Sequence, residues 1–222
     1  MIEKKVFVDF HCHTVHSPDS LNNVRRLIAI SKQRGIDRLV ITDHNTIQGA
    51  LLAKDIAPEH IIVGEEIETS DGGEVLAAYV TEEIPGFIPF REVIARLKEQ
   101  GAFISLSHPF DYRRKGWQPE TLHHLTSVID AIEVFNSRVT SPGINQKAKL
   151  FARQNGLPGT AGSDAHTLRE VGRARVCLPE FQDADQLRNV IMEGVIEGVV
   201  SSPFIHLASR YAMWYKRLKK VL

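Results

Sequence analysis

The amino-acid sequence predicts an α/β fold: a barrel or sheet of largely parallel strands whose one end is crowded with histidines and carboxylates. Three observations predict it. Short, apolar, β-branched runs recur along the chain, as buried strands require. Stretches with apolar residues at steps of three and four separate several of them, the pattern of crossover helices. The runs also end alike. Residues 6–10 lead into Asp9-Phe10-His11-Cys12-His13, and 38–42 into Asp43-His44. Residues 60–64 lead into Glu65-Glu66-Ile67-Glu68, and 102–107 into His108-Pro109. A later run ends in Gly162-Ser163-Asp164-Ala165-His166. In parallel barrels the chemistry sits at the mouth formed by such strand ends.

The elements follow in order. After the first strand, 22–34 carries Val24, Leu27, Ile28 and Ile30 on one helical face and stops at Gly35. The second strand follows at once, then the third at 60–64. Gly72-Gly73 separates 66–69 from 74–80, which predicts a hairpin or bend rather than a crossover and makes the barrel irregular. Residues 89–100 form a helix with Val93, Ile94 and Leu97 inward and Gly101 as its stop. Strands are expected at 102–107, 131–135, 158–161 and 175–178, with helices at 144–154 and 184–192. The barrel domain is expected to occupy 1–203. From Phe204, residues Leu207, Ala208, Tyr211, Trp214, Tyr215 and Leu218 recur at helical spacing, with Lys216, Arg217, Lys219 and Lys220 in the last turns. Residues 204–222 are therefore expected to form an amphipathic helix packed on the barrel, with a partner or dimer contact, or an anionic membrane surface, as alternative uses.

Composition narrows the class. The 222 residues are 43% hydrophobic, enough for a buried core, and carry 27 basic against 27 acidic side chains. No global field favours long nucleic acid or a membrane. No apolar stretch approaches the roughly 20 residues that span a bilayer. Cys12 and Cys177 sit within strands with no secretory leader before them, which suits a cytoplasmic protein without disulfides. Cys12 stands between two histidines, so on a strand its thiol points to the opposite face.

A His-x-His pair alone is a weak signal. Joined to Asp43-His44, Glu66, His108 and Asp164-x-His166 it is a strong one, because burying all these groups without a cation would leave them desolvated and unpaired. Imidazole and carboxylate are the usual ligands of zinc, manganese and iron. Glu66 is the natural bridge between two ions; Glu68 shares its face and Glu65 does not. Asp19 and His16 lie where either can curl back to an ion. Asp43 is expected behind the metal, orienting an imidazole. Asn136 is placed to hydrogen-bond substrate or water. Arg113, Arg114 and Arg138 are the candidate phosphate anchors, Arg138 foremost because it follows its strand end most closely. His60, His123, His124 and His206 show no ligand spacing. Neither a Gly-x-Ser-x-Gly turn nor a phosphate-cradling glycine loop competes, so the simplest attacking group is a metal-bridged hydroxide.

These stretches, with Ile41-Thr42-Asp43-His44-Asn45 and Glu133-Val134-Phe135-Asn136, resemble the PHP family, polymerase and histidinol phosphatase, in order over most of the chain. The resemblance implies a distorted seven-stranded βα barrel and two or three divalent ions. It places one ion on His11, His13, Glu66 and Asp164, a second on Glu66 and His108, and a third on Asp19, His44 and His166. Several family members add a histidine after the glutamate strand. Here Ala77-Ala78-Tyr79-Val80 offers none, leaving Glu74 or water to complete the second ion. Glu66, Asp164 and His166 would carry the chemistry: hydrolysis of a small phosphorylated metabolite such as a nucleotide or histidinol phosphate. The alternatives are an exonuclease on short single strands, amide hydrolysis, or a non-catalytic metal-binding partner protein.

Overall fold

A computed structural model describes residues 4–221. The chain runs through β1 (Lys5–Asp9), α1 (Val24–Gln33), β2 (Arg38–Ile41), α2 (Gln48–Ile56), β3 (Ile61–Glu68) and β4 (Glu74–Ala78). It continues through α3 (Phe90–Glu99), β5 (Phe103–Leu106), α4 (Pro119–Leu125), β6 (Ala131–Asn136), α5 (Pro142–Gln154) and β7 (Gly159–Gly162). It ends with β8 (Ala174–Pro179), α6 (Ala184–Val190), β9 (Val195–Gly198) and α7 (Ile205–Val221).

The α/β class holds, but the sheet has nine strands rather than seven, in the order β7-β6-β5-β4-β3-β2-β1-β8-β9, and it is mixed. Two strands account for the difference. β4 is the returning arm of the Gly72-Gly73 turn, whose φ values of 87° and 79° suit glycine. It lies antiparallel to both β3 and β5. β9 is a short, largely exposed edge strand with little apolar signal, antiparallel to β8. Two helices also lack a sequence signal. α2 buries only Gly49, Ala50 and Ala53, so it has no stripe of large apolar residues. α4 is one short segment opened by Pro119.

The sheet is nearly closed, and its closure is local. At Lys5–Val8, β1 pairs with β8. Beyond Asp9 the chain leaves β8 and joins the continuation of β7. Phe10 N–H donates to the Ala161 carbonyl (3.1 Å), Asp164 N–H to that of His11 (2.7 Å), and His13 N–H to that of Ala165 (3.1 Å). A glycine is needed on this seam: a Cβ on Gly162 would lie 2.2 Å from the His11 Cβ. The apolar core flanks the sheet in three clusters, represented by Ile67, Leu97 and Trp117; by Val8, Phe103 and Phe181; and by Leu27, Ile41 and Cys12.

The C-terminal helix exists, but the face it turns to the barrel is not the expected one. It is anchored through Ser209 and Ala212, both buried. Phe204, Leu207, Tyr211, Trp214 and Leu218 are exposed, and the side chain of Lys220 lies outside the described residues. Small and polar residues suffice here because Arg138 donates to Ser209 Oγ (2.7 Å) and Lys216 to the Val15 carbonyl (2.6 Å).

Candidate metal centre

The strand ends bring the predicted ligands together. His11 and His13 share a face of the β1 extension, and their Nε2 atoms are 3.0 Å apart. Glu66 projects from β3 into the centre of the mouth. Its Oε2 lies 3.1 Å from His11 Nε2, 3.4 Å from His13 Nε2 and 3.2 Å from His44 Nδ1. Its Oε1 lies 3.5 Å from His108 Nε2 and accepts from Ser107 Oγ at 2.6 Å. Asp164 Oδ1 lies 3.3 Å from His13 Nε2, 3.6 Å from His11 Nε2 and 3.4 Å from His166 Nδ1. Asp19 Oδ2 is 2.8 Å from His166 Nε2 and 3.6 Å from His44 Nε2. His16 has no place in these groupings.

Among the described residues, three sets of side chains place ligand atoms within 4.8 Å of one another: His11, His13 and Glu66; His13, His44 and His166; and His44, Glu66 and Glu74. The residues fit divalent cations on two counts. First, ligand bonds of about 2.1 Å give polyhedron edges of about 3.0–3.4 Å, the separations found between many of these atoms. Second, His13 Nδ1, both ring nitrogens of His108 and Asp164 Oδ1 are buried without a hydrogen-bond partner among the described residues. In a satisfied core such atoms would be paired. Backbone strain marks the same positions: His108 and Asp164 are non-glycine residues with positive φ, 21° and 52°.

The electrostatics follow from crowding. Burial opposes charge on His11, yet Glu66, Asp164 and Glu133 outweigh it and hold the imidazole pKa well above its usual value. His44 is likewise raised to about 10, against burial, by Glu66 and Asp19. His13 goes the other way, to about 3, through burial and the neighbouring His166. Glu66 and Asp164 stay ionised despite burial, Glu66 through His11 and His44, Asp164 through Arg114 and His11. The mouth is thus a place where positive charge is stabilised, and where protons compete with cations.

Several assignments shift. Asp43 does not orient an imidazole. Its carboxylate accepts from Thr14 N–H (2.6 Å) and Oγ (2.5 Å), fixing the loop that follows His13. The orienting carboxylate is Glu133 on β6, which sequence reasoning quoted but gave no role. Glu133 Oε1 accepts from His11 Nδ1 (3.0 Å), leaving Nε2 to face the centre, and Oε2 accepts from His108 N–H (2.8 Å). Its signal was an acid in the middle of the buried run Ala131–Asn136. Glu74 also enters the mouth, 3.4 Å from His108 Nε2, and burial beside Glu66 raises its pKa. Glu74, expected with water as the completion of the second ion, reaches the mouth because an antiparallel strand delivers its first residue there.

The substrate-binding candidates separate. Arg114 reaches the centre, its guanidinium 2.5 Å from Asp164 Oδ2 and its side chain 18% exposed. Arg113 faces solvent. Arg138 does not leave the mouth. It is buried, paired with Glu170 (3.1 Å) and bonded to Ser209. Asn136 is saturated: its amide donates to Asp164 Oδ2 (3.0 Å) and Glu133 Oε2 (3.1 Å) and its oxygen accepts from Arg138 N–H (2.8 Å). Outside the mouth, His60 is a core histidine bonded to Ser31 and the Asp37 carbonyl. His123 and His124 are exposed and His206 is half-buried.

Comparison with known proteins agrees with this geometry. The PHP domain model matches residues 9–129 and the PHP-associated model residues 142–196. The uncharacterized protein MJ0417 of Methanocaldococcus jannaschii is 35% identical over 178 residues, which cover 78% of this chain and 71% of that protein. MJ1587 of the same organism is 32% identical over 58% of this chain and 81% of its own. Among solved structures, PsfC of Pseudomonas syringae PB-5123 superposes with a TM-score of 0.72 at 19% identity, over 96% of this chain and 99% of its own. The lesion-specific endonuclease Q of Pyrococcus furiosus gives 0.61 at 17% identity, over 87% of this chain and 57% of its own. At these identities the two structures speak for the fold alone. The family models span the strand ends that build the mouth, and on that match the chain belongs to the PHP family of metal-dependent hydrolases.

Proposed function

We propose that this protein is a metal-dependent phosphoesterase acting on a small phosphorylated molecule. The observation that carries the reading is Glu66, one carboxylate shared by His11, His13, His44 and His108, with the Arg114 guanidinium beside it at the opening. Divalent ions, when bound here, would lower the pKa of water and neutralise phosphoryl oxygens. His11, His13, Glu66 and Asp164 would hold one; Glu66, His108 and Glu74 a second; and Asp19, His44 and His166 a third. Zinc, manganese and iron all suit this donor set.

The chain's own groups do the rest. Glu133 fixes the His11 tautomer, and the Asp164 carbonyl fixes that of His166 by accepting from Nδ1 at 2.8 Å. Arg114, partly exposed and already charged, supplies a fork for two phosphate oxygens. One half-buried guanidinium at the mouth of a chain of zero net charge suits a small ester better than a long polyanion. A cytoplasmic location accords with both cysteines being free, and no helix among the described residues is long and apolar enough to cross a membrane. The test combines two measurements. Elemental analysis after reconstitution should find at least about two equivalents of transition metal, as a shared carboxylate implies. Phosphate release should then be seen from a panel of nucleotides, sugar phosphates and aryl phosphates. One equivalent or less, or no phosphate release from any of them, would overturn the reading.

A further inference from the structure

The C-terminal helix is amphipathic in the reverse of the usual sense. Its inward face is Ile205, Ser209, Ala212 and Lys216, steps of four, three and four. Its outward face is Leu207, Tyr211, Trp214 and Leu218, with Phe204 just before it, each between 44% and 79% exposed. A helix that only covered the barrel would turn these five side chains inward, because each fully buried one contributes about 1.5–3 kcal/mol. Together they form a contiguous apolar stripe of the kind that marks an interaction surface.

The charges beside the stripe select its occupant. Between Ile205 and Leu222 there is no acidic residue. Arg210 and Arg217 are exposed, one turn of helix to one side of Trp214. On the other side lies Tyr215, with the Lys219 ammonium 5.0 Å from its ring centroid. A second copy laid along the stripe would bring cations against cations, a cost without compensation. An anionic bilayer meets both needs: acyl chains for Leu207 and Leu218, the interfacial zone for Tyr211 and Trp214, and lipid phosphates for the flanking cations. We propose that α7 docks this protein on anionic lipid surfaces, its outward face lying in the headgroup layer while its inward face stays clamped to the barrel. The proposal is independent of the hydrolytic reading.

The experiment uses the full chain and vesicles of phosphatidylcholine alone or mixed equally with phosphatidylglycerol. The protein should sediment with the mixed vesicles, with about tenfold weaker binding to the neutral ones and release by salt. Trp214 fluorescence should move to shorter wavelength on binding; the only other tryptophan, Trp117, is 1% exposed and already in an apolar setting. Leu207→Asp and Trp214→Asp, both at exposed positions, should fold normally and lose sedimentation about tenfold or more. Arg210→Glu with Arg217→Glu should lose it at moderate salt. Three results would overturn the proposal: no sedimentation with mixed vesicles at low salt, equal binding to neutral ones, or stripe variants that bind as the parent does. A parent that dimerises through the stripe and ignores lipid would do so too, assigning the face to a second copy.

Discussion

Two arginines flank Asp164, Arg138 buried and Arg114 half-buried, and they live differently. Arg138 lies in a closed network: Glu170 pairs with its guanidinium, Ser209 of α7 accepts from it, and Asn136 receives its backbone N–H. Arg114 lies in an open one, where its main partner, Asp164, also faces three imidazoles and holds an oxygen without a hydrogen bond. The same contrast separates the body of the protein from its mouth. In the body, Asp9 collects the N–H groups of Ser163 and Gly172, Asp43 holds Thr14, and His60 is bonded on both nitrogens. In the mouth, carboxylates and imidazoles crowd one another and some atoms are left unmatched. Unmatched atoms are not confined to the mouth, since Arg138 Nε, Glu170 Oε1 and Glu65 Oε1 are also buried without a hydrogen bond among the described residues; what sets the mouth apart is that its imidazoles and carboxylates stand close enough together to share a cation.

This contrast can be broken by substitution, and the largest effect is expected at its centre. Glu66→Ala should abolish hydrolysis of an aryl phosphate under saturating metal, a rise in barrier on the order of 4 kcal/mol or more, with the fold retained. Near-normal turnover in that variant would remove Glu66 from the centre. Next comes stability. Arg138→Ala removes the ionic partner of the buried Glu170, whose other oxygen keeps the His166 and Thr167 donors, and should cost about 3 kcal/mol in denaturant unfolding, with loosening of α7. A loss of turnover without a loss of stability would instead return Arg138 to the substrate. Arg114→Ala should do the reverse, weakening kcat/KM for phosphate esters by about 2–4 kcal/mol while unfolding changes little.

The smallest expected effect is a pH dependence outside the mouth. Burial pushes the His60 pKa down from 6.5 to about 4, against the Asp37 carbonyl that accepts from its Nδ1. The folded state therefore resists taking up the proton. The stability this histidine contributes is fully present above pH 6.5 and is lost as the pH falls toward 4. His60→Gln should flatten that part of the stability profile, followed by thermal unfolding at several pH values. An unchanged slope would mean that acid sensitivity resides wholly in the mouth.

Much of this was legible in the sequence because strands alternate faces and end where ligands begin. His11 and His13 could be placed on one face from their spacing alone, whereas Asp164, past the end of β7 and at φ 52°, follows no strand alternation. The rest was hidden for physical reasons. The direction of a strand is not written in its composition, so Glu74 stood there only as one of two options for the second ion, and it is the antiparallel course of β4 that sets it at the mouth. Whether an arginine leaves the fold or turns into it depends on a distant partner, and Glu170 lies 32 residues from Arg138. The outward face of α7 has the periodicity of a packed helix; only the barrel's choice of Ser209 and Ala212 reveals the inversion.

The seam that closes the barrel has a consequence for motion. Its hydrogen bonds run between residues 10–13 and 161–165, and the ligand candidates His11, His13 and Asp164 lie among them, with His166 one residue beyond. The barrel therefore cannot part along this line without dispersing the metal centre. By mass action, a cation held there would oppose every such opening by about 2.7 kcal/mol at one hundred times its dissociation constant. Amide hydrogen exchange should register this at the His13 and Asp164 N–H groups. Loading the mouth would slow their exchange, while amides on the outer edge, in β9, would keep their pace.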